Sequence, residues 1–189
     1  MVLNPSEYEK SSYDGGFVYL DEFEKAKITR GITWVIKRIG SYILSGQSIL
    51  NISLPVFLFD PRTLQEVFAY EHRLAPYFLT HAAHCKDTME KLKWVTSFLI
   101  SLIHMSTFQT KPFNPLLGET FQCRIGTMQY YTEQVANHPI TYNIYCKEDE
   151  GLFTIHGYII TSATTNPNSV SAIKKGKYCI TLKDGTNYT

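Results

Sequence analysis

Two short segments of the sequence combine a rigid backbone with polar side chains that suit an anionic group. The first is Lys111-Pro112-Phe113-Asn114-Pro115. Its prolines restrict the backbone, and neither Lys111 nor Asn114 is a residue type that normally packs in a core. A rigid turn presenting a cation and an amide can hold a phosphate head group through charge-assisted hydrogen bonds. The alternative is a purely structural turn, since turns rich in Pro and Asn are common.

The second segment is Glu133-Gln134-Val135-Ala136-Asn137-His138-Pro139, at the end of a predicted strand. It presents the amide of Asn137 and the imidazole of His138, and an imidazole donates more strongly to a phosphate when it is protonated. Glu133 near His138 also suggests an acid–base pair, although closeness in sequence does not bring two side chains together. From the residues alone, a head-group site and a pair of structural turns both remain open.

A third cluster raises the question of metal chemistry. His81, His84 and Cys85 share one face if their segment is helical, so a zinc site is conceivable. An ordinary helix surface is the alternative, because no fourth ligand follows at a suitable spacing. The sequence contains no phosphate-binding loop, dinucleotide-binding loop, serine-hydrolase motif or zinc-protease motif. We therefore expect no catalytic residue, no metal and no cofactor, and we predict that the protein is not an enzyme.

The clearest periodic pattern predicts an amphipathic helix from Phe23 to Leu44. Its aliphatic residues recur at three- and four-residue steps and therefore share one face. Its positive charge is carried by Lys25, Lys27, Arg30, Lys37 and Arg38. Packing against a core is one interpretation of this helix. The other is a lid that covers a cavity and contacts an anionic membrane surface.

Further helices are predicted before the first segment, and strands after it. Asp60 before Pro61 suits an N-cap, so a helix is expected from Pro61 to Tyr70, followed by helices at Tyr77–Ala83 and Thr88–His104. From Phe113 onward, short apolar and aromatic runs alternate with turn residues, which indicates an antiparallel meander. The predicted strands are Gly118–Ile125, Met128–Gln134, Thr141–Lys147, Leu152–Ser162, Lys177–Leu182 and Thr186–Thr189. A two-residue hairpin is expected at Asp184-Gly185.

Two stretches are predicted to be irregular, namely Met1–Gly16 and Ala163–Ser171, the latter because it is rich in Thr, Asn and Ser. We therefore expect a lead-in over residues 1–22 and one α+β, mainly β domain over residues 23–189. Its last strand would leave an unprotected sheet edge. That edge predicts either self-association or the continuation of the sheet in a longer chain.

Composition excludes several classes of protein. Lys and Arg total 18 against 17 Asp and Glu, a net charge of +1 that creates no overall field for nucleic acid. The cysteines, 4 in number and widely spaced, do not form a disulfide scaffold. The N-terminus has no signal-peptide pattern, and the most apolar stretch, Trp94–Met105, is too short and polar to span a bilayer. The default expectation is a cytoplasmic protein that associates peripherally with membranes.

The two polar segments resemble motifs of the oxysterol-binding protein family. Lys111–Thr120 matches the family pattern K-P-[FL]-N-P-[FL]-L-G-E at every position, and Glu133–Ile140 reads E-Q-V-A-N-H-P-I where the family has E-Q-V-S-H-H-P-P. Ile52–Arg62 and Gly176-Lys177-Tyr178 are similar to two further family segments. The likeness covers about residues 32 to 189.

The resemblance implies a large antiparallel β-barrel around a lipid tunnel, with an N-terminal lid and helices at the entrance. It implies lipid binding and transfer between membranes, the ligand being a sterol or phosphatidylserine, with phosphatidylinositol 4-phosphate as the candidate exchange ligand. The alternative is a non-transferring scaffold, a half-domain that binds a membrane or a protein through its open sheet edge.

By position, the resemblance assigns Lys111, Asn114, Asn137 and His138 to the lipid head group. Asn137 stands where the family has the first of its two histidines, and an amide donates a hydrogen bond but cannot become positively charged. One charge-assisted contact is thereby lost, at a cost of about 1–2 kcal/mol. The family's other head-group residues come from a further stretch beyond the part matched here, so we expect the chain to represent the lid and first half of the domain.

Overall fold

The computed structural model describes residues 8–10, 17–19, 22–44, 55–105, 111–166 and 169–189. The chain divides into two compact units, Met1–Asp60 with Gln109–Lys111, and Pro61–Phe108 with Pro112–Thr189. The helices are α1 (Glu22–Leu44), α2 (Leu64–Glu71), α3 (Ala75–His84) and α4 (Thr88–Met105), with short 3-10 helices at Val56–Leu58 and His72–Leu74. The strands are β1 (Tyr8–Lys10), β2 (Phe17–Tyr19), β3 (Phe59–Thr63), β4 (Lys111–Phe113), β5 (Thr120–Ile125), β6 (Met128–Asn137), β7 (Ile140–Glu148), β8 (Phe153–Asn166), β9 (Ser169–Leu182) and β10 (Asn187–Tyr188).

The first unit contains a short hairpin and the long helix α1. Strands β1 and β2 pair antiparallel, with Tyr8 opposite Tyr19. The expectation of an irregular lead-in is therefore wrong over these residues, because backbone pairing organises a segment whose composition carries no strand pattern. The predicted helix is confirmed, and α1 begins one residue earlier than expected. Within the described residues, no helix has both the length and the apolar character needed to cross a bilayer.

The second unit is built on an antiparallel sheet of six strands in the order β10-β9-β8-β7-β6-β5. Each strand pairs with its neighbour in sequence, so the predicted meander is confirmed. Side chains alternate between the two faces, and β6 buries Met128, Tyr130, Thr132 and Gln134 on the inner one. The sheet is open, as part of a barrel would be. Separately, β3 and β4 form a two-stranded sheet.

Helices α2, α3 and α4 contribute the apolar layer that covers the inner face. Contacts of α2 reach β5 and β6, whereas those of α3 reach β8 and β9. The largest buried side chains include Phe68, Phe98, Tyr130, Tyr142 and Phe153. Phe68 meets Tyr142 edge to face with 5.1 Å between ring centroids, a favourable aromatic geometry. The core therefore lies between three helices and one face of the sheet.

The start of α2 differs from the prediction. Asp60 and Pro61 lie in β3, and the N-cap is Thr63, whose hydroxyl accepts from the Glu66 backbone N–H at 3.3 Å. The Glu66 carboxylate accepts from the Thr63 backbone N–H at 2.6 Å, which completes a capping box. Two reciprocal hydrogen bonds stabilise this start better than an Asp-Pro pair, whose proline offers no backbone donor.

The connections between the last strands also differ from the prediction. The expected loop Ala163–Ser171 is instead mostly strand, because β8 extends to Asn166 and β9 begins at Ser169. Those two residues pair with each other, so backbone hydrogen bonding overrides a turn-like composition. The β9–β10 hairpin is closed between Leu182 and Thr186 rather than around two residues. Gly185 adopts φ +84° there, as three-residue hairpin loops require.

Candidate functional site

The loop that carries the first polar segment is anchored to β6 by its backbone. Gly118 donates to the Gln134 carbonyl at 2.8 Å, and Gln134 donates back to the Glu119 carbonyl at 3.1 Å. The Glu119 carboxylate accepts from the Leu116 backbone N–H at 2.9 Å, while the buried amide of Gln65 donates to the Glu119 carbonyl at 2.7 Å. Gly118 has φ +79°, a conformation that favours glycine. The glycine and glutamate of this segment therefore have a structural role.

That anchoring places Gly118 and Glu119 beside β6, the strand that carries the second polar segment. Asn114 lies exposed on the loop, and Asn137 and His138 lie exposed where β6 ends. The buried Gln134 side chain donates to the Asn137 side-chain oxygen at 2.5 Å. The amide nitrogen of Asn137 is left as a donor. Within the described residues, none of these three side chains forms a hydrogen bond with another of the three.

Lys111, at the start of β4, belongs to the first unit. Its side chain is exposed, and its ammonium lies 5.5 Å from the centroid of the Phe59 ring. That distance falls within the range of a cation–π contact. Among the described residues Lys111 has no carboxylate partner, so its charge is available to an anion.

The basic residues of α1 are mostly exposed. Lys25 pairs with Glu22 at 2.8 Å, and the Arg30 guanidinium lies 4.5 Å from the Phe57 ring centroid. Lys37 and Arg38 are exposed, and Lys27 is half-buried. The aliphatic residues Ile32 and Ile36, one helical turn apart, are 56% and 65% exposed. This part of α1 thus displays cations and apolar side chains together, while the side chains of Ile28, Val35, Ile39 and Ile43 lie outside the described residues.

An apolar groove of about 350 Å³ lies between α4 and the strands β8 and β9. Its walls are formed by Leu99, Leu102, Ile103, Ile159, Lys174, Lys175, Gly176 and Tyr178. Two glycines let the strands meet closely along this wall. A Cβ on Gly157 would stand 2.1 Å from the Lys177 carbonyl oxygen, and one on Gly176 would stand 2.2 Å from that of Tyr158. Sequence reasoning missed the groove, although paired glycines within strands are a signal of close backbone approach.

Polar groups are buried beside one wall of this groove. The Lys174 ammonium pairs with the carboxylate of Glu71, whose side chain is 2% exposed. Burial raises the pKa of Glu71, although the charge of Lys174 opposes that shift. The same ammonium lies 4.7 Å from the Phe68 ring centroid. A charged pair thus borders an otherwise apolar space.

His72 and two tyrosines complete the buried polar group. The His72 Nδ1–H donates to the Phe68 carbonyl at 2.7 Å, and burial lowers the pKa of His72 to about 4. The ring is therefore neutral near pH 7, and its Nε2 is an acceptor. The Tyr130 and Tyr178 rings lie 5.3 and 5.5 Å from the His72 ring. Within the described part of the chain, neither Nε2 nor the two hydroxyls has a hydrogen-bond partner, and buried polar atoms normally have one.

The cluster weighed for zinc serves a packing role. His81 stacks on Trp94 with 4.7 Å between centroids, and its Nδ1–H donates to the Tyr77 carbonyl at 2.7 Å. Over the part of the chain that is described, no three His, Cys, Asp or Glu side chains are grouped to hold a metal. Glu133 and His138 likewise share no hydrogen bond in the structure.

Comparison with known proteins supplies the family. Residues 41–189 match the family model described as oxysterol-binding protein. The chain is 35% identical over 176 residues to oxysterol-binding protein 9 of Dictyostelium discoideum, an alignment that covers 92% of this chain and 41% of that protein. It is 31% identical over 152 residues to oxysterol-binding protein-related protein 3C of Arabidopsis thaliana, covering 78% of this chain and 31% of that one.

Solved structures of ORD domains have a similar fold. The Osh1 ORD domain, crystallised with ergosterol, superposes with a TM-score of 0.64 at 26% identity and covers 74% of this chain. The Osh3 ORD of Saccharomyces cerevisiae, in complex with PI(4)P, superposes with a TM-score of 0.63 at 22% identity. This chain spans 34% of the former domain and 39% of the latter.

Proposed function

Because the chain belongs to the oxysterol-binding protein family, we propose that it forms the first part of a lipid-binding and lipid-transfer domain. The observation that carries this proposal is the apolar groove between α4 and strands β8 and β9. Leu99, Leu102, Ile103 and Ile159 offer it aliphatic surface. Covering such a surface with a lipid removes apolar area from water, which stabilises the complex by about 25 cal/mol per Å².

The polar group beside the groove suits a lipid with one polar end. Lys174 and Tyr178 both line the space, although the Tyr178 hydroxyl is buried and the Lys174 ammonium is paired with Glu71. A sterol hydroxyl would accept a hydrogen bond from the Lys174 ammonium, which carries three donors. The related Osh1 domain is known in complex with ergosterol and with cholesterol, which supports a sterol as the ligand.

For phosphatidylinositol 4-phosphate or phosphatidylserine, we propose head-group contacts from Lys111, Asn114, Asn137 and His138. The Gln134–Asn137 hydrogen bond supports this role, because it turns the Asn137 amide nitrogen outward as a donor. The complex of the Osh3 domain with PI(4)P supports the fold as a carrier of that ligand. Asn137 supplies no positive charge, so we expect weaker phosphoinositide binding than with a second histidine.

Helix α1 is proposed as the lid and as the contact with anionic membranes. Its exposed Ile32 and Ile36 would enter the interfacial region while Lys25, Lys27, Arg30, Lys37 and Arg38 remain near lipid phosphates. The four cysteines are free, which supports a reducing, cytoplasmic location at membrane surfaces. No cofactor or catalytic group enters this proposal.

Lipid extraction from liposomes tests the proposal. The chain is incubated with liposomes that contain labelled cholesterol, phosphatidylserine or phosphatidylinositol 4-phosphate, and soluble lipid is measured after sedimentation. Ile103→Trp places a larger ring at the groove and is expected to lower extraction about tenfold, equivalent to about 1.4 kcal/mol of steric cost. Ile100→Trp, at an exposed site of the same helix outside the groove, is the matched control. Extraction of no lipid, or equal loss in both variants, contradicts the proposal.

A second candidate function rests on the open sheet. Among the described strands, β5 and β10 are its two edges. Exposed edges can pair with another chain, so a scaffold that binds a protein, a membrane or a second copy of itself is the alternative. Size-exclusion chromatography with light scattering separates the two functions. A monomer that retains lipid favours the lipid carrier, and a lipid-free dimer favours the scaffold.

A further inference from the structure

The outer face of the six-stranded sheet carries a second, different groove. It has a volume of about 200 Å³ and crosses β5, β6 and β7. Its side chains stand in two cross-strand rows, Thr120–Glu133–Asn143 and Gln122–Tyr131–Tyr145. We refer to it as the tyrosine groove. It lies on the face opposite the helices, and no residue of it belongs to the proposed lipid site.

Two aromatic rings form the floor of the tyrosine groove. The rings of Tyr131 and Tyr145 lie 6.3 Å apart and are inclined by 34°. The Tyr131 hydroxyl donates to the Gln129 side-chain oxygen at 2.7 Å, and the Gln129 amide donates to Asp149 at 3.0 Å. Tyr145 is 44% exposed, much more than tyrosines of the inner face. One ring is thus held in place and the other is open to a ligand.

An unpaired carboxylate borders the same rings. Glu133 is exposed, and within the described residues it forms neither a salt bridge nor a side-chain hydrogen bond. Two cations lie near the groove on this face of the described sheet: Arg124, which is paired with Asp149, and Lys147, two residues after Tyr145 on β7. Among the described residues, the amides of Gln122 and Asn143 also have no hydrogen-bond partner. A free negative charge beside two electron-rich ring faces repels anions and attracts cations.

We propose that the tyrosine groove binds a quaternary ammonium group, as in choline. Such a cation is attracted by aromatic ring faces and loses little hydration on binding, which is why aromatic cages recognise choline and methylated lysine. Its methyl groups would contact Tyr131 and Tyr145, and Glu133 would balance its charge. The groove is an open half-cage rather than a closed one, so the expected affinity is modest and depends on salt.

Nuclear magnetic resonance titration of the whole chain tests this proposal. The probes are choline chloride and 3,3-dimethylbutan-1-ol, which has the same shape without the charge. Choline is expected to produce saturable chemical-shift changes at Tyr131, Glu133, Asn143 and Tyr145. Its affinity is expected to be about fivefold higher than that of the neutral alcohol, or more. Equal affinity for the two probes, shifts elsewhere on the protein, or no saturation overturns the proposal.

Variants at exposed positions sharpen the test without threatening the fold. Tyr145→Ala is expected to weaken choline binding about fivefold, whereas Tyr145→Phe retains the ring and the affinity. Glu133→Gln is expected to weaken it about threefold and to reduce its dependence on salt. Tyr77→Ala removes an exposed tyrosine of α3, away from the outer face of the sheet, and is the control. If Tyr77→Ala acts as Tyr145→Ala does, the proposal fails.

Sedimentation with vesicles distinguishes the sources of the ammonium group. Phosphatidylcholine vesicles that bind the chain and release it on addition of choline identify a lipid head group as the source. Choline binding without binding to these vesicles identifies a free or peptide-borne ammonium. Both outcomes support the groove, and the absence of choline binding in either format contradicts it.

Discussion

The loop that precedes β5 and the groove beside α4 meet opposite physical demands. In the loop, backbone hydrogen bonds of Gly118 and Glu119 with Gln134 of β6 define the conformation, and the Asn114 side chain stays exposed. Beside the groove, the Glu71 carboxylate and the neutral His72 are buried among apolar residues, and Glu71 pairs with Lys174. The loop can therefore change its polar side chains at little cost in stability, whereas the groove cannot.

The largest difference in stability between the groove and the loop should appear when a glycine is substituted in each. Gly176→Ala places a Cβ 2.2 Å from the Tyr158 carbonyl, a backbone atom that cannot move alone, so we expect a loss of about 4 kcal/mol in the free energy of unfolding. Gly118→Ala meets no atom within 4 Å and carries only the strain of its φ of +79°, about 1–2 kcal/mol. Urea unfolding measures the stability loss of both variants. Equal losses would contradict the expected difference between the groove and the loop.

The buried ion pair should give the next largest effect. Lys174→Met leaves the Glu71 carboxylate buried without a cation, so we expect a loss of about 3 kcal/mol at pH 8. Burial already raises the pKa of Glu71, and removal of Lys174 raises it further. When folding raises the pKa of a carboxyl, the folded protein loses stability as the pH rises above the pKa of that carboxyl in the unfolded chain, which is 4.5 for Glu71. The loss should therefore shrink toward pH 5.

Chemical unfolding of this variant and the wild type at several pH values provides the measurement. Lys175→Met is the matched control. Lys175 is exposed, and it is the neighbouring Lys174 that pairs with Glu71. A loss that stays constant with pH would show that Glu71 does not titrate as expected.

The smallest effects on stability are expected at the exposed residues proposed to contact the head group. Lys111→Ala and His138→Ala remove exposed side chains and should change stability by less than about 0.5 kcal/mol. Each should weaken binding to phosphatidylinositol 4-phosphate liposomes by about tenfold, the loss of one charge-assisted hydrogen bond. Asn137→His adds a chargeable donor and should strengthen binding below pH 6.5. Unchanged binding in all three variants would remove these residues from the head-group site.

The sequence predicted local features more reliably than long-range ones. The helix α1 and the order of the strands follow from periodic apolar patterns, which depend on neighbours along the chain. The cap at Thr63 and the extended ends of β8 and β9 were missed. In both cases a hydrogen-bonding partner selected one conformation where composition allowed several. The irregular composition of residues 163–171 does not reveal that Asn166 pairs with Ser169.

By itself, the sequence determined the family and supplied the candidate head-group residues, because the motifs that carry them are contiguous segments. Only the tertiary structure decided which side chains share a face across strands. It joined Glu71 to Lys174 over a separation of 103 residues, and it placed Tyr131, Glu133 and Tyr145 around one groove. The physical reason is strand register, which a single sequence specifies only through the packing of all strands at once.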